Sequence, residues 1–324
     1  MGFGIQDSGF GGRAARAYPL VGALLLAALL TGCGDSSGRA RVSSRRGGQP
    51  DTVVATDDAG RVVRLRHPAR RVVSLLPAGT EMLFALGAGD RVVGRTRYDV
   101  EPRVAGLPSV GGGLDPSLEA LVSLHPELVI AFETAGASRI GPRIEALGIP
   151  VFAIRTEDTT DIYRDLRDLG HLVGRDSAAA AVLSHIRAKL DSVRASVPPG
   201  PRPSVVYVAS LDPPVVAGER TFVSQLLGVA GAEPLRGLGS ALWPQLSPEV
   251  LVHRQPDVVM LPVGADPAST VAGLRSAPGW RELRAVREGR IATVPADLAD
   301  RPGPRIGDTA AAMRDAIRRV WGAR

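Results

Sequence analysis

Cysteine is almost missing from this chain. Cys33 is the single cysteine among 324 residues, so the protein cannot form a disulfide within itself. A zinc site without cysteine needs closely spaced histidines, and the five histidines do not have that spacing. They are His67, His125, His171, His185 and His253. The sequence therefore predicts no structural disulfide and no metal held by protein ligands.

The motifs of several enzyme classes are missing as well. The chain has no Gly-x-Ser-x-Gly elbow, no phosphate-binding loop and no dinucleotide fingerprint. Gly87-Ala88-Gly89 lacks the third glycine of that fingerprint, and it follows a helical pattern where the fingerprint follows a strand. We therefore expect no catalytic residues and no cofactor.

Lysine and aromatic residues are scarce. Lys189 is the only lysine, so the formal net charge of +6 comes from arginine. The arginines are scattered along the chain, which does not favour a nucleic-acid-binding surface. Aromatic residues make up 4% of the chain, so an aromatic side chain in a predicted loop carries more information than usual.

The first 33 residues have the pattern of an export signal. Arg13 and Arg16 precede an apolar run from Tyr18 to Leu30, which is too short to span a membrane easily. The run ends in Leu30-Thr31-Gly32-Cys33, which resembles a bacterial lipoprotein cleavage box. We therefore predict a signal peptide over 1–33 and a lipid on the Cys33 thiol. The alternative is an ordinary secretory signal with an unrelated cysteine.

A flexible tether is predicted over 34–51, because this stretch is rich in Gly, Ser and Arg and has almost no apolar residues. The lipid would anchor the protein to a bacterial membrane on the extracytoplasmic side, in the periplasm if the cell is Gram-negative. We expect this anchor to be the only contact with the membrane.

Two stretches, 117–129 and 247–259, repeat each other at an offset of 130 residues. Each reads as a short helix, a proline break and an apolar strand. The matching pairs are Ser117/Ser247, Glu119/Glu249, Leu121/Leu251, Val122/Val252, Pro126/Pro256, Glu127/Asp257 and Val129/Val259. This duplication predicts two similar α/β lobes, and a cleft between two lobes is a usual place for a ligand.

Strands and helices alternate through the rest of the chain, which favours mostly parallel sheets covered by helices. Strands are predicted at 53–56, 61–65, 72–75, 91–94, 150–154, 204–209 and 290–294, and helices at 77–86, 140–147, 161–169, 219–228 and 305–321. The apolar stripe Leu183, Ile186, Leu190, Val193 and Val197 predicts one long helix over 176–198. It would join a first lobe, 52–175, to a second lobe, 199–324, with little hinge motion.

Four segments carry a family resemblance. They are 71–81 (RVVSLLPAGTE), 212–214 (DPP), 241–247 (ALWPQLS) and 301–305 (RPGPR). Through them the chain resembles the class III substrate-binding proteins of ABC importers, and among these it is most similar to the cobalamin-binding proteins. The wider family includes binders of ferric siderophores and haem. The resemblance implies two Rossmann-like lobes joined by one long α-helix.

The resemblance also implies a ligand site between the lobes. Tyr98, Phe132 and Trp243 fall where the family has ligand-facing aromatic residues, and Arg301 would reach the cleft from the second lobe. Phe132 and Trp243 as plain core residues, and Arg301 as a solvated loop cation, are the alternatives. A corrin is a broad apolar plate with amide-bearing edges, which flat rings cover well. Where the family often has a further aromatic residue, this chain has Gly111-Gly112-Gly113.

Other ligands and other classes of function stay open at this point. Haem needs an axial ligand, for which Tyr98 is the best candidate. An anionic ferric siderophore would use arginines such as Arg95, Arg97 and Arg301. A periplasmic enzyme or a sensor lipoprotein is the alternative from another class.

Glu119 and Glu249 occupy the same position in the two repeats. Both lie in the first turn of a predicted helix, where a carboxylate stabilises the helix dipole. In the family that this chain resembles, the two matching glutamates dock onto arginines of the two permease subunits. The expected partners are therefore an ABC permease dimer with its ATPase subunits, and a monomer is expected for this chain.

Overall fold

The computed structural model describes residues 52–133 and 140–322. They belong to one compact unit, Gly48–Arg324. The predicted signal peptide, Cys33 and the tether to residue 51 lie outside the described residues. Within the described ranges, no helix combines the length and the apolar character that crossing a membrane requires.

The structure contains strands and helices in alternation. The strands are β1 Val53–Thr56, β2 Val62–Leu65, β3 Val72–Ser74, β4 Val92–Gly94, β5 Leu128–Phe132, β6 Val151–Ile154, β7 Ser204–Leu211, β8 Pro214–Val216, β9 Glu233–Pro234, β10 Val258–Val263 and β11 Ile291–Pro295. The helices are α1 Pro77–Ala85, α2 Leu118–Ser123, α3 Ile140–Glu145, α4 Thr159–Leu172, α5 Asp176–Ala195, α6 Phe222–Val229, α7 Pro248–Arg254, α8 Pro267–Ser276, α9 Arg284–Arg287, α10 Ala296–Ala299 and α11 Ile306–Trp321. Three short 3-10 helices, Gly89–Arg91, Pro102–Val104 and Trp280–Glu282, lie between them.

The two lobes have the same sheet order. In the first lobe four parallel strands run β4-β3-β5-β6. In the second lobe β9, β7, β10 and β11 are parallel neighbours in that order. The second lobe adds β8, which pairs antiparallel with β7. The predicted fold class, two Rossmann-like α/β lobes joined by a long helix, is confirmed.

The repeated residues form equivalent helix ends and equivalent hydrogen bonds in both lobes. A residue in the left-handed conformation follows each of the helices α2 and α7, His125 two residues after α2 and Gln255 directly after α7, each with φ of 45°. The acidic residue that follows each helix, Glu127 or Asp257, accepts a backbone hydrogen bond near the start of the first parallel strand of its lobe. Glu127 accepts a hydrogen bond from the Arg70 backbone N–H at 2.6 Å. Asp257 accepts one from the Ser204 backbone N–H at 3.0 Å.

One apolar core spans both lobes. The long helix α5 buries Leu183, Ile186, Leu190 and Val193 as the stripe predicts. It begins at Asp176 and ends at Ala195, three residues before the predicted end. The same core takes Ile162 from α4 of the first lobe and Met313 from α11 of the second.

Hydrogen bonds also join the lobes beside α5. The Phe222 backbone N–H, at the start of α6, donates to the Glu157 carbonyl at 2.8 Å. The Gln225 side-chain oxygen accepts from the Thr159 backbone N–H at 3.0 Å and from its hydroxyl at 2.6 Å. The expectation of little hinge motion agrees with these contacts and stays a prediction.

A buried carboxylate lies at the end of the first sheet. Asp165, on α4, has a side chain that is 1% exposed. It accepts a hydrogen bond from the Thr156 hydroxyl at 2.9 Å. Arg164 lies 3.5 Å from it and binds Asp58 more closely, at 2.6 Å. Burial and the nearby Asp58 carboxylate raise the pKa of Asp165 to about 7.

Stability should therefore depend on pH through Asp165. A carboxyl group whose pKa rises from 3.8 to about 7 on folding holds its proton more tightly in the folded state. The contribution of the Asp165 carboxyl group to the free energy of unfolding is fully present below its unfolded pKa. It is lost as the pH rises toward 7. Relative to wild type, Asp165→Asn should gain up to about 1.4 kcal/mol in free energy of unfolding per pH unit across this window. Urea denaturation at pH 4.5, 5.5, 6.5 and 7.5 measures the difference.

The matched control is Asp191→Asn on α5, whose side chain is 71% exposed. It removes the same charge from the surface. A difference between Asp165→Asn and wild type that stays constant from pH 4.5 to 7.5 would contradict the assignment.

Candidate functional site

A cavity of about 610 Å³ lies between the lobes. The first lobe contributes Leu76, Pro77, Ala78, Tyr98, Phe132 and Thr156, and the second contributes Gly264, Ala296, Asp297, Asp300, Arg301 and Pro302. A second cavity of about 310 Å³ shares Leu76, Pro77, Tyr98 and Phe132 and extends along the first lobe to Gly113, Leu114 and Asp115. The described residues therefore form a bulky, two-part cleft.

The cleft lies at the carboxyl ends of the parallel strands. Leu76 follows β3, Phe132 ends β5, and Thr156 follows β6 in the first lobe. In the second lobe, Gly264 follows β10 and Ala296 follows β11. Open α/β sheets bind ligands at this edge, because the strands stop there and the loops are free to vary.

Tyr98 is held in the cleft by a tight loop. The Asp99 carboxylate accepts hydrogen bonds from the backbone N–H and the hydroxyl of Thr96, both at 2.7 Å. The Thr96 hydroxyl in turn accepts from the Tyr98 backbone N–H at 3.2 Å. The Tyr98 side chain is 59% exposed and lines both cavities.

Phe132 projects from the end of a buried strand. The four preceding residues of β5 are buried, whereas Phe132 is 44% exposed and lines both cavities. The alternative reading of Phe132 as a plain core residue is not what the structure shows. Tyr98 and Phe132 together give the first lobe an aromatic wall.

Trp243 stands beside the cavity and is not among its lining residues. It is 41% exposed, so it is not a core residue. Its ring lies edge-on to that of Tyr207, with centroids 6.5 Å apart. The Tyr207 hydroxyl donates to Asp300, which lines the cavity, at 2.7 Å. Trp243 therefore contacts the ring of Tyr207 and is not among the residues that line the two cavities with Tyr98 and Phe132.

Arg301 lines the cavity and forms an ion pair with a residue of the other lobe. Its guanidinium lies 2.7 Å from the Glu81 carboxylate of α1, and Arg305 binds the same carboxylate at 3.1 Å. The side chains of Arg301 and Glu81 are 18% and 12% exposed. Arg301 is therefore not a solvated loop cation.

The other two arginines considered for an anionic ligand also have partners. Arg97 forms an exposed ion pair with Asp115 at 3.0 Å. Arg95 donates to the Thr96 carbonyl at 3.1 Å and does not line either cavity. Among the described residues that line the two cavities, the one arginine, Arg301, is therefore already in an ion pair.

The second-lobe wall is acidic. Asp297 and Asp300 both line the cavity. Asp297 lies 3.3 Å from Arg305, with an exposed carboxylate. Partial burial raises the pKa of Asp300, against the hydrogen bond from Tyr207 and the charge of Arg301. The sequence reasoning missed both acids, although Asp297 lies two residues after β11 and Asp300 immediately precedes the Arg-Pro-Gly-Pro-Arg segment.

The glycine run Gly111-Gly112-Gly113 lies beside the first-lobe wall of the cleft. Gly111 has φ of 95°, a conformation that favours glycine. A Cβ atom at Gly113 would collide with the Leu75 carbonyl oxygen, beside the cleft wall. The backbone therefore packs directly against the end of β3, and no side chain fits there.

Glu119 and Glu249 lie outside the cleft, on exposed first turns of α2 and α7. A hydrogen bond from the Ser247 hydroxyl lowers the pKa of Glu249. Exposed valines stand near both glutamates, Val122 at 41% and Val250 at 39%. Each lobe thus presents a carboxylate with an apolar neighbour, which is a suitable surface for a protein partner.

Glu119 and Glu249 lie at the same edge of the sheets as the cleft. Arg71, at the start of β3, donates to the Leu124 carbonyl at the end of α2. Helix α2 therefore runs against the strands, and its first turn lies at their carboxyl ends. In the second lobe Gln245, just before α7, bridges to β8 at the end of β7. Both glutamates therefore flank the cleft.

A protein-family model identifies this architecture. The model described as "Periplasmic binding protein" matches residues 72–298, most of the described chain. The chain belongs to the periplasmic binding protein family. It is accordingly a solute-binding protein and not an enzyme, as the sequence predicts.

Several known proteins are similar over most of their length. The "Cobalamin-binding protein" of Halobacterium salinarum is 31% identical over 275 residues, which are 82% of this chain and 74% of that protein. The "Uncharacterized ABC transporter substrate-binding lipoprotein YvrC" of Bacillus subtilis is 28% identical over 293 residues, 88% of this chain and 91% of that protein. The solved structure "Periplasmic heme-binding protein RhuT from Roseiflexus sp. RS-1 in apo form" has a TM-score of 0.66 at 28% identity, covering 77% of this chain and 99% of that one. The predicted class, a substrate-binding protein of an ABC importer, is confirmed.

Proposed function

We propose that this protein is a lipid-anchored, extracytoplasmic substrate-binding protein that captures a corrinoid and delivers it to an ABC importer. The observation that carries the proposal is the composition of the inter-lobe cleft. One wall is aromatic and apolar, through Tyr98 and Phe132. On the other wall the described lining residues include Asp297 and Asp300, and their one arginine, Arg301, is held in an ion pair with Glu81.

A corrinoid fits these two walls. Its macrocycle is a broad plate that flat rings cover at low entropic cost. Its edge carries amides, whose N–H groups pair with carboxylates such as Asp297 and Asp300. The name of the Halobacterium relative, a cobalamin-binding protein, supports the same ligand class.

Haem and ferric siderophores are the second candidates. The Roseiflexus haem-binding structure is of comparable similarity. Tyr98 lines the cleft and would supply the axial ligand that haem needs. The carboxylates of haem, and the anionic charge of many siderophores, would however face Asp297 and Asp300. The charge of the second-lobe wall therefore favours the corrinoid.

Ligand binding should depend on Phe132. Replacing Phe132 with Ala removes an anchor from the cleft wall and should weaken corrinoid binding by about 1–3 kcal/mol, roughly 5- to 150-fold in Kd. Titration calorimetry with cobalamin, cobinamide, haem and several ferric siderophores measures the effect and ranks the ligands. Leu147→Ala is the control, because Leu147 is 50% exposed and lies outside the cleft.

Absence of cobalamin and cobinamide binding at micromolar concentration would refute the corrinoid assignment. Tight haem binding that Tyr98→Phe abolishes would establish the second candidate instead.

The delivery step would use Glu119 and Glu249. Two equivalent carboxylates suit a permease dimer with two-fold symmetry, because each lobe then meets an equivalent site. Charge pairs of this kind set the register of an interface and speed encounter. The ATPase subunits would complete the importer on the other side of the membrane.

The double variant Glu119→Ala/Glu249→Ala should keep its fold and its ligand affinity but bind the cognate permease weakly. Loss of a buried interface charge typically costs about 2–5 kcal/mol per site. A pull-down with detergent-solubilised permease, beside calorimetry on the same protein, separates the two properties. Asp191→Ala/Asp315→Ala removes two exposed charges elsewhere and serves as the control. Permease binding equal to wild type would exclude the docking role.

The lipid anchor rests on the sequence of the cleavage box. Cys33→Ala should move the protein from the membrane fraction to the soluble fraction, since acyl chains contribute about 0.8 kcal/mol per buried CH₂. Intact-mass spectrometry of the purified protein should show a mature chain that begins at a lipidated Cys33. An unlipidated Cys33, or cleavage at another residue, would disprove the anchor.

A further inference from the structure

We infer that Asp300, positioned by Tyr207, makes the cleft select chelates that carry N–H donors over chelates that carry peripheral carboxylates. The inference rests on the proposal that the inter-lobe cleft is the ligand site. It assigns the selection to Asp300 and Tyr207, neither of which the sequence analysis singled out.

Tyr207 gives Asp300 a fixed orientation. Tyr207 lies in the middle of β7 and is 1% exposed, so its hydroxyl needs a partner within the protein. That partner is the Asp300 Oδ1 atom, 2.7 Å away. Burial and the Asp300 charge raise the pKa of Tyr207 well above its ordinary value. The hydroxyl therefore stays protonated and donates, and Asp300 is held as an acceptor.

The second oxygen of Asp300 is left for the ligand. Asp300 follows α10, is exposed, and lines the cavity. Within the described part of the chain, no side chain donates a hydrogen bond to its Oδ2 atom. This oxygen is reachable from the cavity, so a ligand amide can donate to it.

The charges around Asp300 do not neutralise it. Three carboxylates at this end of the cleft, Glu81, Asp297 and Asp300, face two guanidiniums, those of Arg301 and Arg305. Both guanidiniums bind Glu81, and Arg305 also binds Asp297. Asp300 has Tyr207 as its partner and no cation in ion-pair contact among the described residues. A ligand carboxylate at this wall would meet like charge in a partly desolvated site.

Two corrinoids of the same shape test the selection. One is cobinamide, with intact peripheral amides, and the other is its derivative with these amides hydrolysed to carboxylates. The full chain should bind the amide form at least tenfold more tightly by calorimetry at neutral pH. Asp300→Asn should reduce that ratio about tenfold, chiefly by improving binding of the carboxylate form.

Tyr207→Phe tests the positioning role. Without the hydroxyl, Asp300 is no longer oriented, and the affinity ratio should fall several-fold. A purely structural role would weaken both corrinoids equally and leave the ratio unchanged. Asp191→Asn, which removes an exposed charge on α5, should keep the wild-type ratio. Far-UV circular dichroism checks the fold of each variant.

The outcomes separate this inference from the proposed function. Binding of both corrinoids with an unchanged ratio in Asp300→Asn would overturn the inference and leave the corrinoid assignment intact. If wild type binds neither corrinoid, the corrinoid assignment fails, and a cationic ferric hydroxamate and a trianionic ferric catecholate become the test pair. A wild-type preference for the anionic member of either pair, or binding of none of the four, would overturn the inference.

Discussion

The apolar core around α5 is the constraint on which the rest of the structure depends. It buries the stripe of α5 together with residues such as Ile162 of the first lobe and Met313 of the second. The Glu81–Arg301 ion pair and the Gln225 hydrogen bonds add polar contacts between the same two lobes. Opening the cleft would disrupt this packed core, which agrees with the prediction of little hinge motion. Ligand selection therefore falls to the groups on the two walls.

Much of the fold could be predicted because the sequence repeats itself. The offset of 130 residues predicts two lobes. Each helix and strand that the spacing of apolar residues predicts is present in the structure, with ends shifted by a few residues. The strands β8 and β9 and the helices α8, α9 and α10 were not predicted. Pro214 opens β8, and these elements are too short, or too weakly patterned, to show a period.

The charges of the cleft could not be predicted from the sequence. Arg301 was expected to face a ligand, but its partner Glu81 lies 220 positions away, in the other lobe. That pairing exists only because the core sets the lobes against each other. Tyr207 reads as an ordinary core residue of a buried strand, and only the structure shows its hydroxyl on Asp300. Local patterns identify elements, whereas the chemistry of this site arises between elements that are distant in the chain.

The same duplication that builds the cleft also determines how a partner would meet it. Helices that precede parallel strands run against them, so their first turns lie at the carboxyl ends of the strands. Glu119 and Glu249 therefore stand on the edge where the cleft opens, one on each lobe. A two-fold partner that engages both carboxylates must approach over the cleft. With the little hinge motion that the single long helix predicts, release of a ligand would depend on what that partner does to the walls of the cleft.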